Sequence, residues 1–217
     1  RKSRTLCLRK AVLPSASRTG SLWPSSFSIN NPCRRSGSDL LMHFVDYILK
    51  RFEVVTVRPP SATFRILLVD RRFADAGHAV SRAIPLAQMQ SITAALRSLQ
   101  VAERPVEVNV VDFATLSIVQ QLKHVRQCHV MIGMHGAALG FIPFTSPNTG
   151  IVELLPQAYA RHNPHSVNNI FRNLAGWFLR GYKSVIVAVE AGQVSPEPIA
   201  AAAAEHLKFL TQPPQQG

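Results

Sequence analysis

The chain has 217 residues and a mass of 23.9 kDa, a length that allows one domain with an extension or two small domains and excludes a two-lobed enzyme of ordinary size. Hydrophobic residues make up 47% and charged residues 17% of the chain, so it can bury a core and is too apolar to be wholly disordered. Its 24 Lys and Arg against 12 Asp and Glu give a net charge of +12, which points to a phosphate-bearing partner such as a nucleic acid, an anionic membrane or a nucleotide.

The basic excess is concentrated in the first part of the chain. Residues 1–60 hold 11 Lys and Arg against 3 Asp and Glu, a net charge of +8, whereas residues 61–217 hold 13 against 9, a net charge of +4. Residues 1–38 are rich in Ser, Arg and Pro without apolar periodicity, which is typical of a loosely ordered arm. Residues 39–51 carry apolar side chains at helical spacing and predict an amphipathic helix, and the Pro-Pro pair at 59–60 indicates a linker. We therefore expect an arm, a helix and a linker over 1–60 and a second domain over 61–217.

The sequence also bears on targeting segments and on the state of the three cysteines. No run approaches the roughly 20 apolar residues of a membrane-spanning helix, and the first residues lack the layout of a signal peptide. Because residue 1 is Arg, we expect a fragment or a processed form of a longer product, with any targeting segment outside this chain. Cys7, Cys33 and Cys128 lack metal-ligand spacing and are either three free thiols or include a Cys7–Cys33 disulfide.

From residue 64 onward, short apolar runs alternate with stretches of helical length. The predicted strands are Phe64–Val69, Val106–Val111, His129–Ile132, Ile151–Leu155 and Ser184–Val189. The predicted helices are Pro85–Leu99, Thr115–Gln127, a short helix over Gly136–Phe141 and an Ala-rich helix over Ile199–Leu210. Apolar strands that alternate with helices indicate a parallel sheet covered on both faces, so the predicted fold is a Rossmann-like, doubly wound α/β domain.

In such a sheet, ligands bind beyond the carboxyl ends of the strands. The turn after the third predicted strand, Gly133–Ala138, combines glycines, a histidine and small residues in a tight approach to a helix start. We expect its backbone N–H groups to face a ligand above the sheet, and Gly136 allows the backbone to come close to that ligand. His135 can donate a hydrogen bond to a phosphate or carry a proton. Tight packing around a partly buried histidine is the alternative interpretation of this turn.

Residues around the third and fourth predicted strands form a longer pattern. Val130–Phe144 reads VMIGMHGAALGFIPF, and Ile151–Pro156 reads IVELLP. Together they resemble the signature of glycosyltransferase family 61, in which an apolar strand, Gly-X-His-Gly-Ala-Gly-Leu, a short apolar segment and an apolar strand ending in Glu and Pro follow one another. Three upstream segments resemble further elements of that family in order and spacing: Ile66–Arg72, Ser81–Ile84 and Leu116–Gln121. The resemblance extends over about residues 62–160.

The resemblance implies an inverting glycosyltransferase that moves a sugar, N-acetylglucosamine or a pentose, from a UDP-sugar to a hydroxyl of a glycan or protein. It implies that the chain is the C-terminal lobe of a two-lobed GT-B enzyme in the lumen of the Golgi or endoplasmic reticulum, with any membrane anchor outside this chain. The sequence has no Asp-X-Asp motif, so we expect neither a bound metal nor another cofactor.

The same resemblance suggests which residues carry the chemistry. Negative charge accumulates on the leaving diphosphate, and arginines and helix N-terminal amides can neutralise it without a metal. We assign His135 and Arg82 to catalysis, with His135 in contact with the donor diphosphate or sugar. The residues assigned to donor binding are Arg71 and Arg72, Gly136 and Ala137 through their backbone amides, and Glu153, which we expect to hydrogen-bond the ribose.

Two alternative functions stay open. Leu86, Gln120, Ala138 and Gly140 depart from the residues usual in the family, which allows a degenerate or truncated lobe that binds nucleotide without turnover. The net charge of +12 allows a nucleic-acid-binding protein, although no helix carries a row of Lys or Arg and aromatic residues are only 7% of the chain. On the family interpretation, nucleic acid is not an expected partner.

Overall fold

The computed structural model describes residues 39–54, 62–71, 83–162 and 169–212. The predicted arm, the linker, Cys7 and Cys33 lie outside these ranges, and so do Arg72 and Arg82 of the predicted site. None of the helices within these ranges is long and apolar enough to cross a membrane.

Helices and strands alternate along most of the described chain. In chain order they are α1 (Asp39–Arg51), β1 (Phe64–Asp70), α2 (Leu86–Arg97), β2 (Gln100–Val101), β3 (Arg104–Asp112), α3 (Ile118–Gln127), β4 (Val130–Met134), β5 (Gly150–Pro156), α4 (Gln157–His162), α5 (Asn169–Trp177), β6 (Gly181–Val187) and α6 (Pro196–Phe209). Short 3₁₀ helices occupy Phe113–Thr115, Ala137–Phe144 and Val189–Ala191.

The described strands form one mostly parallel sheet in the order β2-β3-β1-β4-β5-β6. All neighbours from β3 to β6 in this order pair in parallel. Counted along the chain, these five parallel strands follow the order 2-1-3-4-5, which is a common order of doubly wound sheets. The architecture is therefore a mixed α/β fold that is compatible with the predicted Rossmann-like domain. Its strand order reverses between β1 and β4, and this is where such sheets bind ligands.

The prediction of a wholly parallel sheet is wrong at one edge. β2 pairs antiparallel with β3 through a hairpin whose two turn residues, Ala102 and Glu103, have φ angles of 49° and 60°. Two successive residues with positive φ are what a two-residue hairpin turn matched to the strand twist requires. The usual sequence signal for that turn, Asn-Gly or Asp-Gly, is missing here, which is why the apolar pattern did not predict β2.

Alternate side chains of the central strands face two different cores. Ile66 and Leu68 of β1 point to one face, where α2 and α6 cover the sheet. Leu67 and Val69 point to the opposite face, which is covered by α3, α5 and the 3₁₀ helix Ala137–Phe144. Burial on both faces explains why the parallel strands are continuous apolar runs in the sequence.

Helix α1 packs on the outside of α3 and α5. The predicted helix over residues 39–51 is confirmed with the same bounds. Its apolar stripe takes part in a third buried cluster, whose members are Val45, Leu49, Val54, Leu122, Trp177 and Phe178. The helix assigned to the N-terminal segment is thus in direct contact with the α/β lobe.

The other predicted helices and strands are confirmed with shifted ends, and the largest differences lie in the last third. β6 spans Gly181–Val187, whereas Ser184–Val189 was expected. It starts opposite Gly150 of β5, and Val189 begins a 3₁₀ turn that ends at Gly192 with φ 62°. Helices α4 and α5 were not predicted, although α5 carries apolar residues at helical spacing.

Candidate active site

The turn after β4 carries the chain across the carboxyl edge of the sheet. β4 is buried along its whole length, and a Cβ at Gly133 would lie in van der Waals contact with Leu139, 3.4 Å from its Cδ2. The His135 N–H donates to the Leu154 carbonyl oxygen at 2.8 Å, so the pairing between β4 and β5 continues one residue past the end of β4. The chain then enters the 3₁₀ helix at the exposed Ala137. This backbone geometry fixes where the His135 side chain begins.

Two side chains bind the two oxygens of the Glu153 carboxylate. His135 Nδ1 pairs with Oε1, and the Tyr182 hydroxyl donates to Oε2. The Glu153 side chain is 0% exposed and the His135 side chain 16% exposed, so the carboxylate belongs to the interior and the imidazole to its boundary. A buried carboxylate needs hydrogen-bond donors to offset its lost hydration, and here each oxygen has one.

The carboxylate stands in the middle of β5, on a face that is otherwise apolar. Strand alternation puts Glu153 on the same face as Ile151, which belongs to the core under α3 and α5. The sheet register sets Gly133 beside Glu153 on one side and Ser184 on the other. A charged side chain in such a position is rare unless it is paired, which makes Glu153 the unusual residue of this face.

Two aromatic rings hold the imidazole of His135 from the side. The ring of Tyr159 in α4 lies 5.5 Å from it, centroid to centroid, at an interplanar angle of 64°. The ring of Phe171 in α5 lies 5.1 Å away at 69°. Edge-to-face contacts of this kind are favourable for aromatic pairs and restrict rotation of the imidazole. The two helices that were not predicted therefore build the wall of the site.

The proton of Tyr182 is firmly held. Burial of the phenol, together with the neighbouring Glu153 carboxylate, raises the pKa of Tyr182 far above its usual value. The phenol therefore stays protonated throughout the physiological pH range and acts as a permanent donor to the carboxylate.

A cleft of about 420 Å³ opens beside the carboxyl end of β1. Its lining is mainly apolar, with one carboxylate: Asp70, Ala83, Ile84, Pro85, Leu86 and Met89. Asp70 is buried at the end of β1, and the half-buried Arg71 follows it. Because Val69 pairs with Gly133, the end of β1 lies next to the turn that carries His135. The lining residues Ile84 and Met89 belong to the core under α2 and α6, so the cleft lies on the opposite face of the sheet from the Glu153 side chain.

The sequence pattern of the family described as Glycosyltransferase 61 matches residues 26–152 of the chain, more than half of its 217 residues. The chain belongs to glycosyltransferase family 61. No curated protein matches the chain. The matched region contains His135 and ends one residue before Glu153, so the carboxylate and Tyr182 lie beyond it.

Several site residues predicted from the sequence lie at the carboxyl edge of the sheet. His135, Gly136 and Ala137 follow β4, and Arg71 follows the neighbouring β1. Arg72 and Arg82 lie outside the described residues, so their assignment stays a prediction. The ribose contact of Glu153 also stays a prediction, and it would require the Glu153 side chain, which is 0% exposed, to become accessible to the ligand.

Tyr182 and Tyr159 were not among the residues assigned to catalysis or donor binding. Tyr182 stands in a strand whose start was predicted three residues too late, and Tyr159 stands in a helix that was not predicted. A signal for Tyr182 was available, since a strand extended back to residue 181 and paired with β5 puts Tyr182 beside Ile151, on the face of Glu153.

The family-like segment Leu116–Gln121 has a structural role. Ser117 Oγ accepts the Gln120 N–H at 3.4 Å, and Gln120 Oε1 accepts the Ser117 N–H at 2.9 Å, which forms a capping box at the start of α3. Gln121 Nε2 donates to the carbonyl oxygens of Phe113 and Leu116 at 2.7 and 2.9 Å. A glutamine serves this cap as well as the usual glutamate, so the departure at Gln120 leaves the local structure intact.

No group of three His, Cys, Asp or Glu side chains within the described ranges is arranged to hold a metal ion. The expectation of a metal-independent reaction stays a prediction.

Proposed function

We propose that this family 61 chain forms the donor-binding, C-terminal lobe of a GT-B glycosyltransferase that transfers a sugar from a UDP-sugar to a hydroxyl with inversion. The observation that carries the proposal is the position of His135, inside the family match and on the turn after β4, beside the end of β1 where the strand order reverses. N-acetylglucosamine or a pentose is the proposed sugar, a glycan or protein hydroxyl the proposed acceptor, and the lumen of the Golgi or endoplasmic reticulum the proposed compartment.

The leaving group decides what the lobe must supply. Breaking the bond between the sugar and the diphosphate leaves negative charge on phosphate oxygens, and the site must neutralise it. Arg71 lies at the end of β1, and we assign Arg72 and Arg82 to the same task because a guanidinium binds phosphate through two parallel hydrogen bonds. The amides of Gly136 and Ala137 at the start of the 3₁₀ helix add donors from the backbone.

One observation favours a second candidate function, nucleotide binding without turnover. Leu86 lines the cleft with 66% of its surface exposed, at a place where the family resemblance leads us to expect an asparagine. An apolar side chain there supplies no hydrogen bond to a sugar or phosphate.

Calorimetric titration of UDP into the chain tests the donor site. We expect binding that is weakened roughly ten- to a hundredfold in Arg71→Ala and Arg82→Ala, the loss expected for one charge-assisted hydrogen bond. Arg97→Ala is the matched control, because Arg97 is exposed at the far end of α2 and should leave the affinity unchanged. Equal affinity in all variants would overturn the site, and RNA binding that is tighter than UDP binding and falls steeply with salt would favour the nucleic-acid alternative.

A transfer or hydrolysis assay with UDP-sugars separates the two candidate functions. Turnover of a UDP-sugar supports the transferase, whereas UDP binding without turnover in the full-length product supports the degenerate lobe.

A further inference from the structure

Three polar side chains connect the interior of the sheet with the turn after β4. Tyr182 donates to Glu153, and Glu153 pairs with His135. We propose that Tyr182 and Glu153 are positioning residues that hold the proton of the His135 imidazole on Nδ1, so that Nε2 serves as the base for the acceptor hydroxyl. This inference rests on the transferase function proposed above and assigns to Glu153 a role other than ribose binding.

The direction of the two hydrogen bonds follows from the chemistry of the groups. Because the Tyr182 hydroxyl donates to Oε2, that oxygen acts as an acceptor. A carboxylate accepts hydrogen bonds through both of its oxygens, so the partner of Oε1 in this pair is a donor. The proton therefore resides on Nδ1, and Glu153 is a carboxylate with a donor on each oxygen. In the neutral imidazole, Nε2 then carries a lone pair.

The orientation of the ring is fixed by three further contacts. The His135 N–H is bonded to the Leu154 carbonyl oxygen, and the rings of Tyr159 and Phe171 pack against the imidazole. The two nitrogens of an imidazole point in different directions, so the bond from Nδ1 into the interior turns Nε2 away from Glu153. Preorganisation of this kind is what a catalytic base needs.

A gain in folding free energy does not explain why the ionisable pair of His135 and Glu153 occupies this position. Replacing a buried ion pair with apolar residues of similar volume is often neutral or stabilising, and Ile151 shows that the same face of β5 accepts an apolar side chain. A carboxylate that binds a histidine at the carboxyl edge of the sheet is explained by a role in positioning that histidine. It fixes the tautomer of the imidazole and stabilises the positive charge that the ring acquires when it takes a proton, as the aspartate of a hydrolase triad does.

The proposed transfer of the sugar accounts for every bond and proton without a metal ion. The acceptor hydroxyl gives its proton to His135 Nε2, and its oxygen forms a bond to the anomeric carbon of the donor sugar. The bond between that carbon and the diphosphate breaks, and UDP leaves with the electron pair. His135 is then an imidazolium paired with the Glu153 carboxylate, and it returns its proton to solvent before the next cycle.

Nuclear magnetic resonance of the chain labelled with ¹⁵N-histidine reads the tautomer directly, without activity. His135→Gln assigns the resonances by removing one of the 8 histidines. At alkaline pH we expect wild-type His135 to be protonated on Nδ1 and unprotonated on Nε2. In Glu153→Gln the amide group turns a donor toward Nδ1, because the Tyr182 hydroxyl still donates to the amide oxygen, and the proton moves to Nε2. Glu107→Gln, at an exposed position on β3, is the matched control and should leave the tautomer unchanged.

Activity then distinguishes positioning from structural support. We expect Glu153→Gln to lower kcat by about 10²- to 10⁴-fold, the usual contribution of a general base, with the affinity for UDP unchanged. Tyr182→Phe keeps the carboxylate and should lower kcat by less, about three- to tenfold, the effect of losing one hydrogen bond. Tyr47→Phe, at an exposed tyrosine of α1, should change neither.

The outcomes separate the two proposals. A wild-type His135 that is unprotonated on Nδ1 would overturn the positioning role even if UDP binds. Failure to bind UDP, with the Nδ1 proton in place, would overturn the donor site and leave the tautomer assignment standing. The wild-type spectrum decides the first question even if Glu153→Gln does not fold.

Discussion

The imidazole of His206 occupies the space that a side chain at Gly150 would need. A Cβ built on Gly150 would lie 2.4 Å from Cγ and 2.5 Å from Cβ of His206. A Cβ on Gly181 would lie 2.9 Å from His206 Nδ1. These two glycines begin β5 and β6, so their missing side chains let α6 approach the sheet at the edge opposite the candidate active site.

We expect Gly150→Ala to lower the free energy of unfolding by about 1–3 kcal/mol, the usual cost of overpacking a well-filled core. The clash involves the inner atoms of His206, close to the helix backbone, so a small rotation of the side chain does not relieve it. Urea unfolding of the two proteins measures the difference. Gly140→Ala is the control, because a Cβ at Gly140 has no neighbouring atom within 4 Å and should change stability by less than about 0.5 kcal/mol. Equal stability of both variants would show that α6 does not press against β5.

His206 also predicts how stability depends on pH. Burial lowers the pKa of His206, although a hydrogen bond with the backbone of Ile151 opposes the shift. In the unfolded chain the pKa of a histidine is about 6.5, so below that pH the unfolded state binds the proton more readily than the folded state. Stability contributed by neutral His206 is therefore fully present above about pH 6.5 and is lost as the pH falls through the window below it.

The measurement is the unfolding free energy between pH 5 and 8 for the wild type and for His206→Gln. We expect the variant to lose part of the wild-type slope below about pH 6.5. A slope that is identical in wild type and His206→Gln would contradict the assignment.

Most of the fold could be predicted from the sequence because both faces of the sheet are covered. Strands buried on two sides carry continuous apolar runs, and this made β1, β4 and β5 visible without any knowledge of tertiary contacts. β2 was not predicted because it has only two residues and its turn contains no glycine. The pairing of β2 with β3 is set by the hairpin, and no period in the sequence reports it.

The candidate site was predictable in part for a similar reason. The Gly-Met-His-Gly turn lies directly after an apolar strand, so local sequence was enough to select His135. The partners of its side chain lie 18 residues away at Glu153 and, through that carboxylate, a further 29 residues away at Tyr182. Strand alternation shows that Glu153 and Ile151 share a face. Only the packed structure shows that this face is covered and that both carboxylate oxygens are bound within the protein.

The β2–β3 hairpin stores strain that a glycine would release. Ala102 and Glu103 both have positive φ angles, which cost an L-residue about 1 kcal/mol relative to glycine. We expect Glu103→Gly to raise the free energy of unfolding by about 0.5–1 kcal/mol, measured by urea unfolding. Ala94→Gly, at an exposed position inside α2, should lower it by about 1 kcal/mol, because glycine is a poor helix former. A loss of stability in both variants would argue against the left-handed turn.

Ionisation of the Tyr182 phenol reports on its contact with Glu153 without a measurement of activity. Burial and the Glu153 carboxylate raise the pKa of the Tyr182 phenol, whereas an unfolded tyrosine titrates near about 10. Stability contributed by the protonated phenol is therefore fully present below about pH 10 and is lost as the pH rises above it. In an ultraviolet titration we expect the Tyr182 phenol to ionise only as the protein unfolds at alkaline pH.

Variants identify that late tyrosine and the cause of its shift. Tyr182→Phe should remove the late ionisation, whereas Tyr47→Phe, at an exposed position on α1, should leave it in place. Glu153→Gln removes the negative charge next to the phenol and should lower the pH at which Tyr182 ionises. Burial is the larger cause of the shift, so the ionisation in Glu153→Gln should still occur above about pH 10. If Tyr182→Phe left the late ionisation in place, the phenol would not be the donor to Glu153, and the positioning role of Tyr182 would fall with it.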